Sequence, residues 1–249
     1  MLDSIKLAAH RVLQSLGVDI VRYPEPPAPP PPPDPRSYAG RRGRWLRDLG
    51  VTVLLDVGAN VGQYGRQIRS QGFSGRIVSF EPMADEFARL SSASAEDPLW
   101  RCLNVALGAT EGEFAMHVAG NSESSSLLAM RESHVAAYPE SAVVGTQSVR
   151  VGTLDALRTR ILEPGDRAWL KMDVQGYELV ALRGASETLP QIHAIEMELS
   201  LVELYDGNPL LCESIATLEN LGFHLAAIEE AFMDGRDARA LQLNGIFLR

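Results

Sequence analysis

The stretch LLDVGANVGQYGRQI, residues 54 to 68, leaves an apolar run on Asp56, crosses Gly58, Asn60 and Gly62, and then resumes a rhythm suited to a helix. Gly58 and Gly62 tolerate unusual dihedrals and bring no bulk, Asn60 offers polar contacts, and the following helix points its N-terminal dipole at the same place. This is the chemistry of a backbone that something approaches closely. The pattern D-x-G-x-N-x-G differs from the G-x-G-x-x-G dinucleotide fingerprint, whose glycines admit a pyrophosphate. Downstream, the run SFEP places Glu81 at a second strand end, where a carboxylate accepts hydrogen bonds from the two hydroxyls of a ribose. In CLNVALG, Asn104, Val105 and Ala106 have the mixture of polar and small apolar groups that lines the flat face of a base. A nucleoside, rather than a dinucleotide, fits these three segments.

A second set of residues suits proton transfer. Asp173 closes the run AWLKMD and Glu198 lies near the end of IHAIEMEL, so neighbouring strand ends bring two carboxylates together. Such a pair can orient an acceptor, take its proton or hold a divalent cation such as magnesium, an oxygen-ligand ion. Two or three acids of unknown separation do not define a metal site, and none is assigned. The plainer reading of Asp173 is a cap for the helix VQGYELVAL. Glu196 shares a face with Glu198 by period-two alternation, one step further down the strand. His134, in the polar excursion MRESHVAAYPE, titrates near neutrality and is a candidate base if that excursion closes over the site. His117 and His193 read as packing or local hydrogen-bonding groups.

The elements that must carry these residues are legible from periodicity. Segments 51–56, 75–81, 100–107, 168–173 and 192–199 read as strands, with helical patterns between most of them, which is the signature of a mainly parallel sheet covered by helices. Segment 112–119 adds a strand that breaks the strict alternation. Segments 223–229 and 241–248 flank DGRD and form an antiparallel hairpin. Before the hairpin, NPLLCESIATLENLG offers an asparagine cap and a proline at the first helical turn. The pattern accommodates six or seven strands in one sheet. Ligands of such sheets sit beyond the carboxyl ends of the strands, where the strand order reverses.

Ahead of this domain, Leu2, Ile5, Ala9, Val12, Leu13 and Leu16 form the stripe of an amphipathic helix, a docking face for the main body or for the second subunit of a homodimer. The run PEPPAPPPPPDP, residues 24 to 35, favours an extended polyproline strap. Arg36, Arg41, Arg42, Arg44 and Arg47 surround Trp45 and read as a solvated basic face. The division is therefore residues 1–49 as an N-terminal helix, strap and basic segment, and 50–249 as the main domain.

Bulk properties narrow the partners. A net charge of −9 opposes nonspecific attraction to nucleic acid or anionic lipid. No apolar run approaches the roughly 18 residues of a membrane span, and the charged N-terminus is unlike a secretory signal, which reads as a soluble, cytoplasmic protein. Cys102 and Cys212 have neither metal-ligand nor disulfide spacing and read as free, buried thiols.

The segments LLDVGANVGQYG, VSFEP, LNVALG, NSESSSL, TLDAL and LKMDVQGYELVALRGA, in that order, resemble the FkbM family of S-adenosylmethionine-dependent methyltransferases over about residues 50 to 249. The resemblance implies an α/β, Rossmann-like methyltransferase fold: a mainly parallel seven-stranded sheet flanked by helices, ordered 3-2-1-4-5-7-6, with a C-terminal antiparallel hairpin. It implies S-adenosyl-L-methionine as cofactor and methyl transfer, usually to oxygen, onto a small-molecule or saccharide acceptor in biosynthesis. By the same resemblance Asp56, Gly58, Asn60 and Gly62 form the cofactor loop, Glu81 holds the ribose, and Asn104, Val105 and Ala106 approach the base. Ser124, Ser125 and Ser126 fall in the family's serine-rich segment near the reaction centre, with Ser125 and Ser126 as cofactor contacts. Asp173, Gly176 and Glu178 match the motif after the fourth strand, here DVQG, with Gln175 where many relatives have glutamate. Asp173, His134 and Glu198 are the candidates for catalysis. N-methylation, and a catalytically inactive cofactor-binding interaction module, are the alternatives to O-methylation.

Overall fold

The computed structural model describes residues 33–249. The amphipathic stripe of residues 2–16, any dimer contact through it, and the strap up to residue 32 lie outside the described residues. The elements run in chain order as α1 (Tyr38–Asp48), β1 (Val53–Val57), α2 (Gln63–Ser70), β2 (Arg76–Phe80), α3 (Ala84–Ser94), β3 (Trp100–Leu103), β4 (Ala106–Leu107) and β5 (Gly112–Ala119). They continue as α4 (Glu132–Ala137), β6 (Val143–Gly152), α5 (Leu154–Ile161), β7 (Ala168–Met172), α6 (Glu178–Arg183), β8 (Ile192–Ser200), α7 (Leu211–Asn220), β9 (His224–Met233) and β10 (Ala240–Leu248).

Seven strands form one sheet in the order β3-β2-β1-β7-β8-β10-β9. The first five pair in parallel, while β10 runs antiparallel between β8 and β9. Every residue of β1 and of β7 is buried, as expected of central parallel strands covered on both faces. The order reverses between β1 and β7, so a crevice opens beyond their carboxyl ends.

Alternation along the strands divides the core in two. Val53, Leu55, Val57, Leu170, Met172, Ile195 and Met197 pack on one face with residues of α5, α6 and α7. Leu54, Ile77, Trp169, Ala194 and Ile246 pack on the other with Leu46 of α1, Ile68 of α2 and Leu90 of α3. Helix α1 is capped by Ser37, whose hydroxyl accepts the Gly40 N–H at 3.1 Å, and buries Tyr38, Arg42 and Leu46 at i, i+4 and i+8.

Several expectations are corrected. The strand read over 100–107 is broken at Asn104–Val105: β3 stays in the large sheet, and β4 turns away to pair with β6 in a second, three-stranded sheet ordered β4-β6-β5. Strand β6, VVGTQSVRVG, is exposed over most of its length and has no apolar alternation to announce it; the cross-strand pairing with β5 makes it a strand. Helix α7 begins at Leu211 without a side-chain cap, because Asn208 turns its Oδ1 back to accept the N–H groups of Leu204 and Tyr205, both at 2.9 Å. Cys102 is half-buried and Cys212, on α7, is exposed. Arg42 does not belong to a solvated face: it is 4% exposed.

One position tests the packing of α2 on the sheet. A Cβ on Gly65 would overlap the Trp100 indole, which is pinned by its own N–H to Ser79 Oγ at 3.0 Å. Glycine to alanine inside a helix ordinarily stabilises by about 1 kcal/mol. Here Gly65→Ala is expected to destabilise by about 1–3 kcal/mol through overpacking, measured as a lowered denaturant midpoint at unchanged slope.

Candidate active site

The turn after β1 is built from left-handed residues. Gly58 has φ 75°, Asn60 47° and Gly62 85°. At Gly58 the requirement is double, since a Cβ there would also overlap the Asp173 carbonyl of the neighbouring strand end. The N–H groups of Gly58 and Ala59 both reach the Phe80 carbonyl at 3.0 Å, which locks the turn against β2. Asn60 is the hub: its N–H donates to Glu81 Oε2 at 2.8 Å, its Oδ1 accepts the Val61 N–H at 2.7 Å, and its Nδ2 donates to Ser122 Oγ at 2.9 Å.

Glu81 is buried, and its other oxygen accepts the Met83 N–H at 2.9 Å. Burial pushes its pKa up to about 7 against the pull of those two N–H donors. A carboxylate accepting two hydrogen bonds still has lone pairs to offer. Val105 and Ala106 line the adjoining wall. Asn104 is placed behind it, donating to the carbonyls of Glu81 and Pro82 at 2.9 and 3.0 Å, so it braces the acid instead of facing the cavity.

Across the carboxyl ends of four strands runs a polar row that the register makes continuous: Ser79, Asp56, Lys171 and Glu196 are aligned neighbours. Asp56 is fully buried; its Oδ2 accepts the Ser79 hydroxyl at 3.1 Å and its Oδ1 lies 3.4 Å from Lys171 Nζ. Burial raises the Asp56 pKa and Lys171 opposes the rise. For Lys171 burial acts to lower the pKa, but Asp173 and Asp56 outweigh it and hold the ammonium charged. The same Nζ stands 3.4 Å from Asp173 Oδ2 and 5.3 Å from the Tyr64 ring centre. Glu196 is met by Arg42 Nη1 at 3.0 Å, the Tyr64 hydroxyl at 2.5 Å and the Trp169 indole N–H at 3.3 Å.

Two residues beyond Lys171 and Glu196, just past the last paired residues Met172 and Met197, Asp173 and Glu198 are joined through one side chain. Gln175 Nε2 donates to Asp173 Oδ1 and to Glu198 Oε2, both at 2.8 Å, and Gln242 Nε2 adds a 3.2 Å bond to Glu198. Burial, then the charges of Asp173 and Glu178, raise the Glu198 pKa well above the carboxylate range. Asp173 does not cap α6. Glu178 satisfies that turn instead, its Oε1 accepting the N–H groups of Val174 and Gly176 at 3.0 and 3.3 Å.

Helix α4 carries His134 into the cavity wall, buried to 2% exposure. Its Nε2 is 3.5 Å from Ser124 Oγ, its Nδ1 has no partner, and the rings of Tyr205 and Phe232 lie 5.2 and 5.1 Å away. Burial pushes its pKa down to about 4, so the imidazole is neutral at physiological pH. Ser124 and Ser125 line the cavity, and Ser125 Oγ accepts the Ala119 N–H at 3.1 Å. Ser126 lies behind them, donating to the Gln175 carbonyl at 2.7 Å and accepting the Leu128 N–H at 3.0 Å.

Of the candidates, Gly58, Asn60, Glu81, Val105, Ala106, Ser125, His134, Asp173 and Glu198 border one cavity of about 1040 Å³ beyond the strand ends, while Asp56, Gly62, Asn104 and Ser126 do not line it. Sequence reasoning passed over Lys171, Arg42, Tyr64, Tyr205 and Gln242. Two of these had a signal: period two from Trp169 sets Lys171 on the face of Asp173, and Tyr38, Arg42 and Leu46 share one helix face. Among the described residues no three His, Cys, Asp or Glu are grouped to hold a metal ion, and no helix is long and apolar enough to cross a membrane.

A sheet ordered 3-2-1-4-5-7-6 by strand, mainly parallel with an antiparallel strand before the last, and holding a glycine turn and a buried acid at the first two strand ends, is the Rossmann-like methyltransferase fold. The methyltransferase FkbM domain model matches residues 56–225, and the chain belongs to the FkbM family of S-adenosylmethionine-dependent methyltransferases. The chain is similar to the 2-O-methyltransferase NoeI of Sinorhizobium fredii (strain NBRC 101917 / NGR234), at 28% identity over 162 residues, which are 62% of this chain and 66% of that protein. Among solved structures it is similar to an S-adenosylmethionine-dependent methyltransferase from Mesorhizobium loti, with 11% identity, 86% of this chain and 99% of that chain covered and a TM-score of 0.46. It is also similar to the magnesium protoporphyrin IX methyltransferase of Synechocystis PCC 6803, with 10% identity, 84% and 76% coverage and a TM-score of 0.43. At these scores neither structure bears on the chemistry.

The buried acid of the α6 turn gives a pH test. Glu178 has a pKa pushed up to about 7 from an ordinary 4.5, by burial first and by Asp173 to a lesser degree. A raised carboxylate pKa favours the protonated fold, so its contribution is complete below pH about 4.5 and is lost as pH rises through about 7. Glu178→Gln keeps an oxygen for both N–H groups and removes the charge. The variant should match the wild type near pH 4 and exceed it at pH 8 by on the order of 2–3 kcal/mol, read from denaturant unfolding at each pH.

Proposed function

We propose that the chain transfers the methyl group of S-adenosylmethionine to a hydroxyl of a small metabolite, saccharide or glycolipid intermediate. The observation that carries this reading is the placement of Glu81 and of the Asp173–Glu198 pair on the same cavity, with the Asp56–Lys171 ion pair between them. The cavity fits the cofactor on three counts. Its volume is at the upper end of the roughly 300–1,000 Å³ range of small-molecule sites, room for a nucleoside and an acceptor. The turn at Gly58–Asn60 brings backbone to its wall, and the buried Glu81 carboxylate borders it.

When bound, the cofactor supplies an electrophilic methyl on a sulfonium centre. The chain's residues do the rest. Glu81 takes the ribose hydroxyls, and Val105 and Ala106 pack on the base. At the other end Lys171 Nζ pairs with Asp173 Oδ2 at 3.4 Å, while burial and the neighbouring acid favour the protonated form of Glu198. Asp173 therefore accepts the hydroxyl proton as the acceptor oxygen takes the methyl, and Glu198 donates a hydrogen bond that orients it. Much of the rate advantage comes from holding the oxygen in line and excluding water. His134, neutral and on the cavity wall, is the second candidate for the proton.

The lining also bears on acceptor charge. Glu81, Glu123, Asp173, Glu196, Glu198 and Glu229 face the cavity, and its cations Arg42 and Lys171 are held by Glu196, Asp56 and Asp173. An uncharged polyol or amino sugar suits this wall better than a phosphate or carboxylate. The name of the NoeI relative supports transfer to oxygen.

Isotope-labelled S-adenosylmethionine incubated with cell extract and the purified protein should place label on a hydroxyl oxygen, located by mass spectrometry. Label reproducibly on nitrogen contradicts the reading, and cofactor binding with no transfer to any component favours the inactive module.

Two variants separate the ends of the cavity. Glu81→Gln is expected to weaken S-adenosylmethionine binding roughly tenfold, since one strong acceptor is lost. Asp173→Asn should keep that affinity and lower the single-turnover rate roughly 100-fold or more, with His134→Gln beside it as the comparison. A wild-type single-turnover rate in Asp173→Asn removes Asp173 from the chemistry.

A further inference from the structure

Two carboxylates at adjacent strand ends repel unless a proton, a cation or hydrogen-bond donors lie between them. Here donors do. Gln175 is in the left-handed region at φ 54°, a conformation that non-glycine residues rarely adopt. In return its side chain is buried between the two acids and fully used. Nε2 gives one N–H to Asp173 Oδ1 and the other to Glu198 Oε2, both at 2.8 Å. Oε1 lies 2.8 Å from the Tyr205 hydroxyl, and the backbone carbonyl accepts the Ser126 hydroxyl at 2.7 Å.

Chemistry fixes which way the amide points. Reversed, it would set Oε1 against two carboxylate oxygens and leave Nε2 on Tyr205. The two N–H groups thus occupy the gap between Asp173 Oδ1 and Glu198 Oε2, where a single cation bridging those two oxygens would sit. Lys171 and Gln242 complete the compensation from the flanks, at 3.4 Å from Asp173 and 3.2 Å from Glu198.

We propose that Gln175 is a positioning residue standing in for a divalent cation between Asp173 and Glu198, so that the pair receives the acceptor hydroxyl without metal. This rests on the reading of that pair as the acceptor end of the cavity. A carboxamide suits the gap, because a glutamate at 175 would replace its two N–H donors with a third acid beside Asp173 and Glu198, and a further proton or a cation would then have to hold the cluster together.

The test is Mn²⁺ binding to the full chain, followed by electron paramagnetic resonance, with S-adenosylhomocysteine affinity measured calorimetrically on the same samples. Wild type is expected to show no stoichiometric Mn²⁺ site at millimolar concentration. Gln175→Glu should gain one, roughly tenfold tighter or more, and lose it again in the double variant with Asp173→Asn, while S-adenosylhomocysteine affinity holds. If Gln175→Glu does not fold, Gln175→Ala carries the comparison: the gap is opened without added charge, and Mn²⁺ should again bind more tightly than to wild type, an effect abolished by Glu198→Gln. A wild-type Mn²⁺ site lost on Asp173→Asn overturns the proposal, as does an affinity in the position-175 variants equal to wild type. Wild type that binds neither S-adenosylmethionine nor S-adenosylhomocysteine removes the reading beneath it, and is told apart because the Mn²⁺ signal needs no cofactor.

Discussion

A carboxylate buried at the end of a central strand must be compensated locally, and the way Asp56 is compensated organises the whole functional end of this molecule. Ser79 on one side donates a hydrogen bond and Lys171 on the other supplies the countercharge, which it shares with Asp173. Glu196, next in the row, draws in Arg42 and Tyr64 from two helices. Each of these groups follows an apolar residue two positions earlier on the same strand face: Leu54 before Asp56, Ile77 before Ser79, Trp169 before Lys171, Ala194 before Glu196. The lower half of that face is core and the upper half is a charged network. Period-two alternation needs one substitution per strand to make the change.

The network has a directional consequence. On the β1–β2 side the acid that remains open to the cavity, Glu81, is held by backbone N–H groups and is therefore fixed in place with its turn. On the β7–β8 side the acids are held by side chains, Lys171, Gln175 and Gln242, which respond to substitution. Helix α1 belongs to the same design, because Arg42 closes the row at Glu196 from outside the segment matched by the family model, residues 56–225.

Much of this was legible in the sequence, for physical reasons that can be named. The central strands announced themselves because burial on both faces demands continuous apolar runs, and the 54–62 turn because left-handed backbone demands glycine or asparagine. Asp56, Glu81, Asp173 and Glu198 were placed at strand ends by counting alone. What escaped was set by contacts between distant segments. Strand β6 has no apolar alternation of its own, and β3 gave no sign that it would hand over to β4 at Asn104. Asn104 and Ser126 have the polarity of ligand contacts but spend it on backbone carbonyls. Arg42 lies in an arginine-rich run and is distinguished only by its helical phase.

The most direct measurement is a crystal structure with S-adenosylhomocysteine bound. The ribose hydroxyls should lie within hydrogen-bond distance of the Glu81 carboxylate, the base against Val105 and Ala106, and the sulfur should face the space before Asp173 and Glu198. A nucleoside seated away from Glu81, or a sulfur opening on the side remote from the Asp173–Glu198 pair, would contradict the division of the cavity into a cofactor end and an acceptor end.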